Sequence, residues 1–445
     1  MRISFSGFSS SIATIGDIDG DGIPDYVVGA SQQSRSENLK QGCAFVFSGQ
    51  NGRLLFTIDL PQPRQGAGSS ETPYNGASFG WAVAAAGDVN SDGTSDLLIG
   101  AFNQGSSGNQ VGSGEAYLFN GKTGALLSTL QAPQQQPGAS FGWAVASLGD
   151  LNKDSVPELV VGAIGQEGGG RVFIFSGKDR SLLHMLAPPS PQSNGAFGWS
   201  IAPIGDLDGD NAPDVLVGAP YAAVGTNRVQ GQAYAFSSRT GKLLYTIDDP
   251  APHAGATFGW HVAAGGDFNG DGVPDVLVGA PYKDVSTNRS EGEAFVFNGV
   301  DGALLFSLHN PAPSDKSYSC FGLTVAASPD VNGDGIAEIL VSAPYQTVDQ
   351  YHIQGEVFLF DGRTGRHLST IDNPAPHQGS AFGYVVVSPG DVNGDRIPDL
   401  VISAAGQTLL ERYFAVGRVY IFLSRSTSTE TAREPELFIG RREAR

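Results

Sequence analysis

Seven times along the chain, a nine-residue stretch carries oxygen-bearing side chains at its first, third, fifth and ninth positions. The seven sets are Asp17, Asp19, Asp21 and Asp25; Asp88, Asn90, Asp92 and Asp96; Asp150, Asn152, Asp154 and Glu158; Asp206, Asp208, Asp210 and Asp214; Asp267, Asn269, Asp271 and Asp275; Asp330, Asn332, Asp334 and Glu338; and Asp391, Asn393, Asp395 and Asp399. A hard cation such as Ca²⁺ needs six to eight oxygens at short range, and alternating acids in one tight turn supply them, with a backbone carbonyl at the seventh position. Mg²⁺ fits such a loop less well, because it demands strict octahedral geometry and retained waters. The spacing therefore predicts up to seven Ca²⁺ ions, one per repeat.

The loops are not EF-hands, since the twelfth position of the first is Val28 rather than a glutamate. Loops 1, 2 and 5 are complete, with Gly22, Gly93 and Gly272 at the turn. Loop 4 turns on Asn211, which tolerates a left-handed backbone, and loop 6 keeps Gly335 but ends on the longer Glu338. Loops 3 and 7 turn on Ser155 and Arg396 and are expected to be the weakest sites. Asp, Asn and Gly also make ordinary turns, and one such loop alone would be read as a turn. Seven in register require a common cause.

Charge agrees with that cause. The chain of 445 residues carries 45 acidic against 26 basic side chains, a net charge of −19. About half of the acids sit in the seven loops, so without cations each cluster repels itself, and one divalent ion per loop would cancel most of the surplus. A surface this negative excludes nucleic acid as a main partner. No apolar run approaches the roughly 18 residues of a membrane span, so direct insertion is not expected. The opening residues, 1–10, show no charged start followed by a signal-type apolar stretch.

The loops open 56 to 71 residues apart, which means one unit copied seven times. The units run over about 8–66, 79–131, 141–187, 197–248, 258–309, 321–372 and 382–424. The fifth reads as four short strand-like segments: A is FGWHVAAGG, then comes the acidic loop, then B is VLVGAPY, C is GEAFVFNG and D is ALLFSL. No segment has helical length. A small antiparallel sheet with two apolar faces must stack on its neighbours, and seven of them close into a ring. The predicted fold is all-β, a seven-bladed β-propeller of four-stranded blades occupying 1–424. Strand reversals put the A–B loops and C–D turns on one face and the B–C loops and D–A links on the other. The last unit has no clear D, and residues 425–445 form a polar tail in which 437–439 is a candidate closing strand.

Trp81, Trp143, Trp199 and Trp260 follow phenylalanine-glycine, and Tyr221, Tyr282 and Tyr345 follow alanine-proline. The tryptophans are expected to pack between blades. The tyrosines begin B–C loops, where a ligand could stack on them. Cys43 and Cys320 occupy different positions in their units, which argues against a disulfide, and no Ser/His/Asp, Cys/His or paired-acid arrangement stands apart from the loops. Catalysis is not expected.

With phenylalanine-glycine opening the unit, the acidic loop in its middle and Gly-Ala-Pro after it, residues 8 to 424 resemble the FG-GAP repeats of integrin α-subunit propellers. The first unit departs with Phe8-Ser9, and the last two with Ser342-Ala343-Pro344 and Ser403-Ala404-Ala405. The resemblance implies a seven-bladed propeller with calcium in these loops, serving adhesion or ligand recognition outside the cell or at its surface. It also implies a protein or glycan ligand on the face opposite the calcium loops. An inserted adhesion domain and a leg region are missing, so an integrin receptor proper is not expected. A carbohydrate-binding propeller and the accessory propeller of a larger secreted enzyme are the alternatives.

Overall fold

The computed structural model describes residues 8–33, 41–63, 76–105, 112–286, 288–313, 318–392, 399–406 and 417–423. Its regular elements are all strands, in seven antiparallel sheets each built in chain order. Blade 1 runs Phe8–Gly16, Asp25–Ala30, Cys43–Phe47 and Leu54–Asp59, and this pattern recurs. Six blades have four strands; in the seventh, Phe382–Gly390, Asp399–Ala404 and Arg418–Phe422 are described. The candidate closing strand at 437–439 and the tail lie outside the described residues.

Burial explains the composition of each strand. The B strands, such as Asp25–Ala30 and Asp214–Ala219, are buried at every position because neighbouring blades cover both faces. The D strands at the rim are mostly half-exposed. Apolar clusters lie between consecutive blades: Val27 and Val46 of blade 1 with Phe79 and Leu97 of blade 2, for example. Another joins Phe8, Ile12 and Val28 of blade 1 to Val401, Val419 and Ile421 of blade 7. The ring is thus closed, among the described residues, by blade-to-blade packing.

The phenylalanine-glycine and Gly-Ala-Pro positions meet across each interface. Phe79 is fully buried, stands edge-on to Tyr117 and Phe119 of its own blade, and donates its backbone N–H to the Gln41 carbonyl of the preceding one. The glycine of the B strand leaves room for a backbone. A Cβ on Gly29, Gly100, Gly218 or Gly279 would fall on the carbonyl oxygen of the next blade's Gly80, Gly142, Gly259 or Gly322. Ser342 replaces that glycine in blade 6 and its hydroxyl accepts the Thr324 N–H at 3.0 Å; Ser403 does the same for Val385 at 2.9 Å in blade 7. Ser9, standing where the other units have glycine, keeps a left-handed backbone with φ of 62°.

The sequence predicts long A strands in every blade, but those of blades 4 to 6 shorten to Ile201–Ile204, His261–Ala264 and Val325–Ser328. Their Phe-Gly segments turn away from the ladder, and in blades 4 and 5 the glycine and tryptophan amides both reach the B-strand glycine carbonyl. All seven A strands face the ring axis and enclose a channel of about 570 Å³.

Candidate metal loops and channel mouth

Loops 1 to 6 are each organised by their first carboxylate. Asp17 accepts backbone N–H groups from Gly20, Asp21 and Gly22, and Asp267 does so from Gly270, Asp271 and Gly272. Asp88, Asp150, Asp206 and Asp330 hold their loops in the same way. Those donors keep Asp330 below the ordinary carboxylate range, the Gly335 amide most of all.

The ninth carboxylate has a second role that the spacing did not reveal. Asp25 is fully buried; one oxygen accepts the Ile18 N–H at 2.8 Å, and the other accepts the Gly49 N–H of the C–D turn at 2.9 Å. Asp96, Asp214 and Asp275 make the same bridge to Gly121, Ser238 and Gly299. These residues therefore staple the A–B loop to the C–D turn as well as facing the other acids. Burial pushes Asp96 and Asp214 up to about 6 and Glu158 to about 7, with neighbouring loop carboxylates adding to the rise.

Convergence differs between loops. Carboxylate oxygens of Asp17, Asp19 and Asp25, of Asp150, Asp154 and Glu158, and of Asp206, Asp208 and Asp210 lie within 4.8 Å of one another. Loop 3 thus gathers its acids although Ser155 occupies the turn, with φ of 70°. In loops 2 and 5 the fifth-position carboxylates, Asp92 and Asp271, accept instead from Asn120 and Asn298 of the C–D turn. In loop 6, Asp330 and Asp334 flank a buried Glu338 that accepts the Val331 N–H at 2.8 Å. Of loop 7, Asp391 and Asp399 are described, and Asp399 accepts the Val392 N–H at 2.8 Å; Asn393 and Asp395 lie outside the described residues. Three hard oxygen donors per cluster, with buried carboxylates short of counter-charge, fit a divalent cation.

The opposite face presents aromatics. Trp81, Trp143, Trp199 and Trp260 line the channel and touch from blade to blade as tilted pairs, with ring centroids 4.9, 4.6 and 4.6 Å apart and planes 50°, 43° and 52° apart. Phe102 stands against Trp81 and Trp143, Tyr221 against Trp199, and Tyr282 against Trp260. Leu323, Tyr384 and Ser10 take the equivalent positions in the remaining blades. The tryptophans touch between blades as expected, but along the channel rather than inside the blade interfaces. Tyr221, Tyr282 and Tyr345 are half-buried, not exposed, because they pack into this collar, and burial raises Tyr282 and Tyr345 above their ordinary range. Among the described residues the channel lining carries no Asp, Glu, Lys or Arg, and its one histidine, His261, is held neutral, lowered to about 4 by burial. The sequence signal for this channel was the Trp position after Phe-Gly, read as packing alone.

Among the described residues no helix is long and apolar enough to cross a membrane, and Cys43 and Cys320 are buried and not joined by a disulfide. A ring of seven antiparallel sheets with an acidic loop in each A–B connection defines a β-propeller of the integrin α type. The FG-GAP repeat family model matches residues 79–119, 141–175, 197–236, 258–297, 321–360 and 382–422, more than half of the chain, and the chain belongs to that family. The first blade, with Ser9 in place of the glycine, escapes the match. The chain is 26% identical over 448 residues to phosphatidylinositol-glycan-specific phospholipase D of Bos taurus, covering 91% of this chain and 52% of that protein. It is 30% identical over 233 residues to integrin alpha-5 of Xenopus laevis, covering 49% of this chain and 21% of that one, and 30% identical over 213 residues to human integrin alpha-11, covering 46% and 17%. The chain spans about half the length of the phospholipase D relatives it matches.

Proposed function

We propose that this chain is a non-catalytic recognition propeller working outside the cell or at its surface. Calcium in the A–B loops braces the blades, and the opposite face binds a protein or glycan ligand. The observation that carries the reading is the aromatic collar: a run of four indoles in tilted contact along an uncharged channel, on a particle whose net charge is −19. Exposed indole edges in such a place favour stacking and apolar contact with a ligand and do nothing obvious for solubility. Calcium supplies positive charge that holds each acidic loop and its C–D turn together. Extracellular millimolar calcium would fill loops with dissociation constants of roughly 10⁻⁴ to 10⁻³ M.

A glycan array and a cell-attachment assay, both in calcium, test this. The expected result is selective binding that drops about fivefold or more in Trp199→Ala and Tyr282→Ala, each removing one aromatic surface worth about 1 kcal/mol or more. Selective sugar binding lost in these variants favours the carbohydrate-binding reading, and attachment without sugar binding favours a protein ligand. Unchanged binding in both variants contradicts the collar as the recognition surface. A second reading, the accessory propeller of a larger secreted enzyme, is favoured by the alignment with phospholipase D along 91% of the chain. A reading frame that continues into a catalytic domain would support it.

A further inference from the structure

In blades 4 and 6 the C–D turn delivers an arginine to the fifth-position carboxylate of the acidic loop. The guanidinium of Arg239 lies with Nε 3.2 Å from Asp210 Oδ2, an ion pair without hydrogen-bond geometry, and Arg363 Nε lies 3.6 Å from Asp334 Oδ2. Blades 1, 2 and 5 meet the same carboxylate with a neutral donor: Ser48 on Asp21, Asn120 on Asp92 and Asn298 on Asp271. At the turn position of Arg239 and Arg363, blade 5 carries Val300, which is 51% exposed and has no charge to offer. A neutral amide or hydroxyl can rotate to present an oxygen to an incoming cation. A guanidinium has no acceptor atom and brings only positive charge.

We infer that Arg239 and Arg363 are built-in counter-ions that compete with divalent cations for loops 4 and 6. Loops 4 and 6 are thereby filled after loops, such as that of blade 5, whose C–D turn meets the fifth carboxylate with a neutral donor. The inference rests on the calcium reading given above. In the metal-free protein the arginines partly neutralise their loops and keep the C–D turn docked, so these two blades hold together when calcium is scarce. On binding, the cation must displace or tolerate a unit charge a few ångströms away. Blade 5, with the complete loop Asp267, Asn269, Asp271 and Asp275 and no such arginine, is a tight site. Arg53 of blade 1 reaches Asp19, a third-position carboxylate, at 3.6 Å with its side chain 65% exposed; Arg363 is 56% exposed at the same distance, so the hold is firmest at Arg239, which is 31% exposed.

Calorimetric titration of the full chain with calcium, paired with thermal melting in chelator and in saturating calcium, tests this. The double variant Arg239→Gln and Arg363→Gln is expected to move two sites to roughly three- to tenfold tighter binding, the effect of removing one positive charge near a divalent ion at a screened surface. The same variant is expected to melt below wild type in chelator and to close that gap in calcium. The reciprocal variant Val300→Arg is expected to weaken one tight site by a similar factor, and at an exposed position it leaves the core untouched. Unchanged affinities in proteins that do bind calcium overturn the counter-ion proposal alone. A chain that takes up no calcium, in wild type and variants alike, overturns the calcium reading and this proposal with it.

Discussion

Asp25 and its counterparts in the other blades carry two demands at once. Their oxygens accept amides from the loop, and in Asp25, Asp96, Asp214 and Asp275 from the C–D turn as well, while burial and neighbouring acids work against their charge. In Asp96, Asp214 and Glu158 the second effect wins, and the folded-state values rise to about 6, about 6 and about 7. A carboxyl with a raised folded value binds its proton more tightly in the native state. Its contribution is present below the unfolded value near 4 and lost as pH rises through the folded value. Groups held low, such as Asp330 and Asp361, work in the opposite direction but only as pH falls toward their lowered values, so they add no slope above pH 5; His261, held at about 4, opposes the trend up to about 6.5, but one such group is outweighed by the three raised carboxyls. The metal-free protein is therefore expected to melt at a higher temperature at pH 5 than at pH 8, and calcium is expected to shrink the difference. A chelated midpoint that rises over that range would contradict this assignment. The loop residues were legible in the sequence because coordination chemistry fixes their spacing. The stapling role of the ninth carboxylate was not, since its partner glycine lies 24 residues away and becomes adjacent only when the C–D turn folds back.

At the scale of the strand, the repeated glycines set how closely blades approach. A Cβ on Gly279 would collide with the Gly322 backbone of the next blade, which cannot yield without separating the two sheets. Gly279→Ala is expected to destabilise by about 2–3 kcal/mol, in the range of forced overpacking. Gly255→Ala, at φ of 85° with open space around the new methyl, is expected to cost about 1 kcal/mol for its backbone conformation alone. Chemical denaturation of both variants compares them, and a Gly255→Ala cost equal to or larger than that of Gly279→Ala would refute the close-approach explanation. The four-strand unit could be read from turn residues and apolar alternation. The shortened A strands of blades 4 to 6 could not, because Trp199, Trp260 and Leu323 follow Phe-Gly as Trp81 and Trp143 do in longer strands.

For the whole molecule, one sequence fact determines the architecture: seven copies of a sheet that cannot bury its own faces. Ring closure did not follow the same way. The sequence offered a candidate closing strand at 437–439, which lies outside the described residues, while Phe8, Ile12 and Val28 pack on Val401, Val419 and Ile421 across the blade 7 to blade 1 interface. Packing of this kind needs only matching apolar faces, which a search for a missing strand overlooks. The collar was half legible: its aromatics were evident, but their convergence on the axis depends on every A strand facing inward.

The calcium account stands or falls on where cations sit. Anomalous scattering from crystals grown in calcium measures this directly, and strong peaks are expected inside the A–B loops of blades 1, 2 and 5, each flanked by the oxygen-bearing side chains at the first, third, fifth and ninth positions. Density no stronger than water in all of those loops, in crystals saturated with the ion, would contradict it.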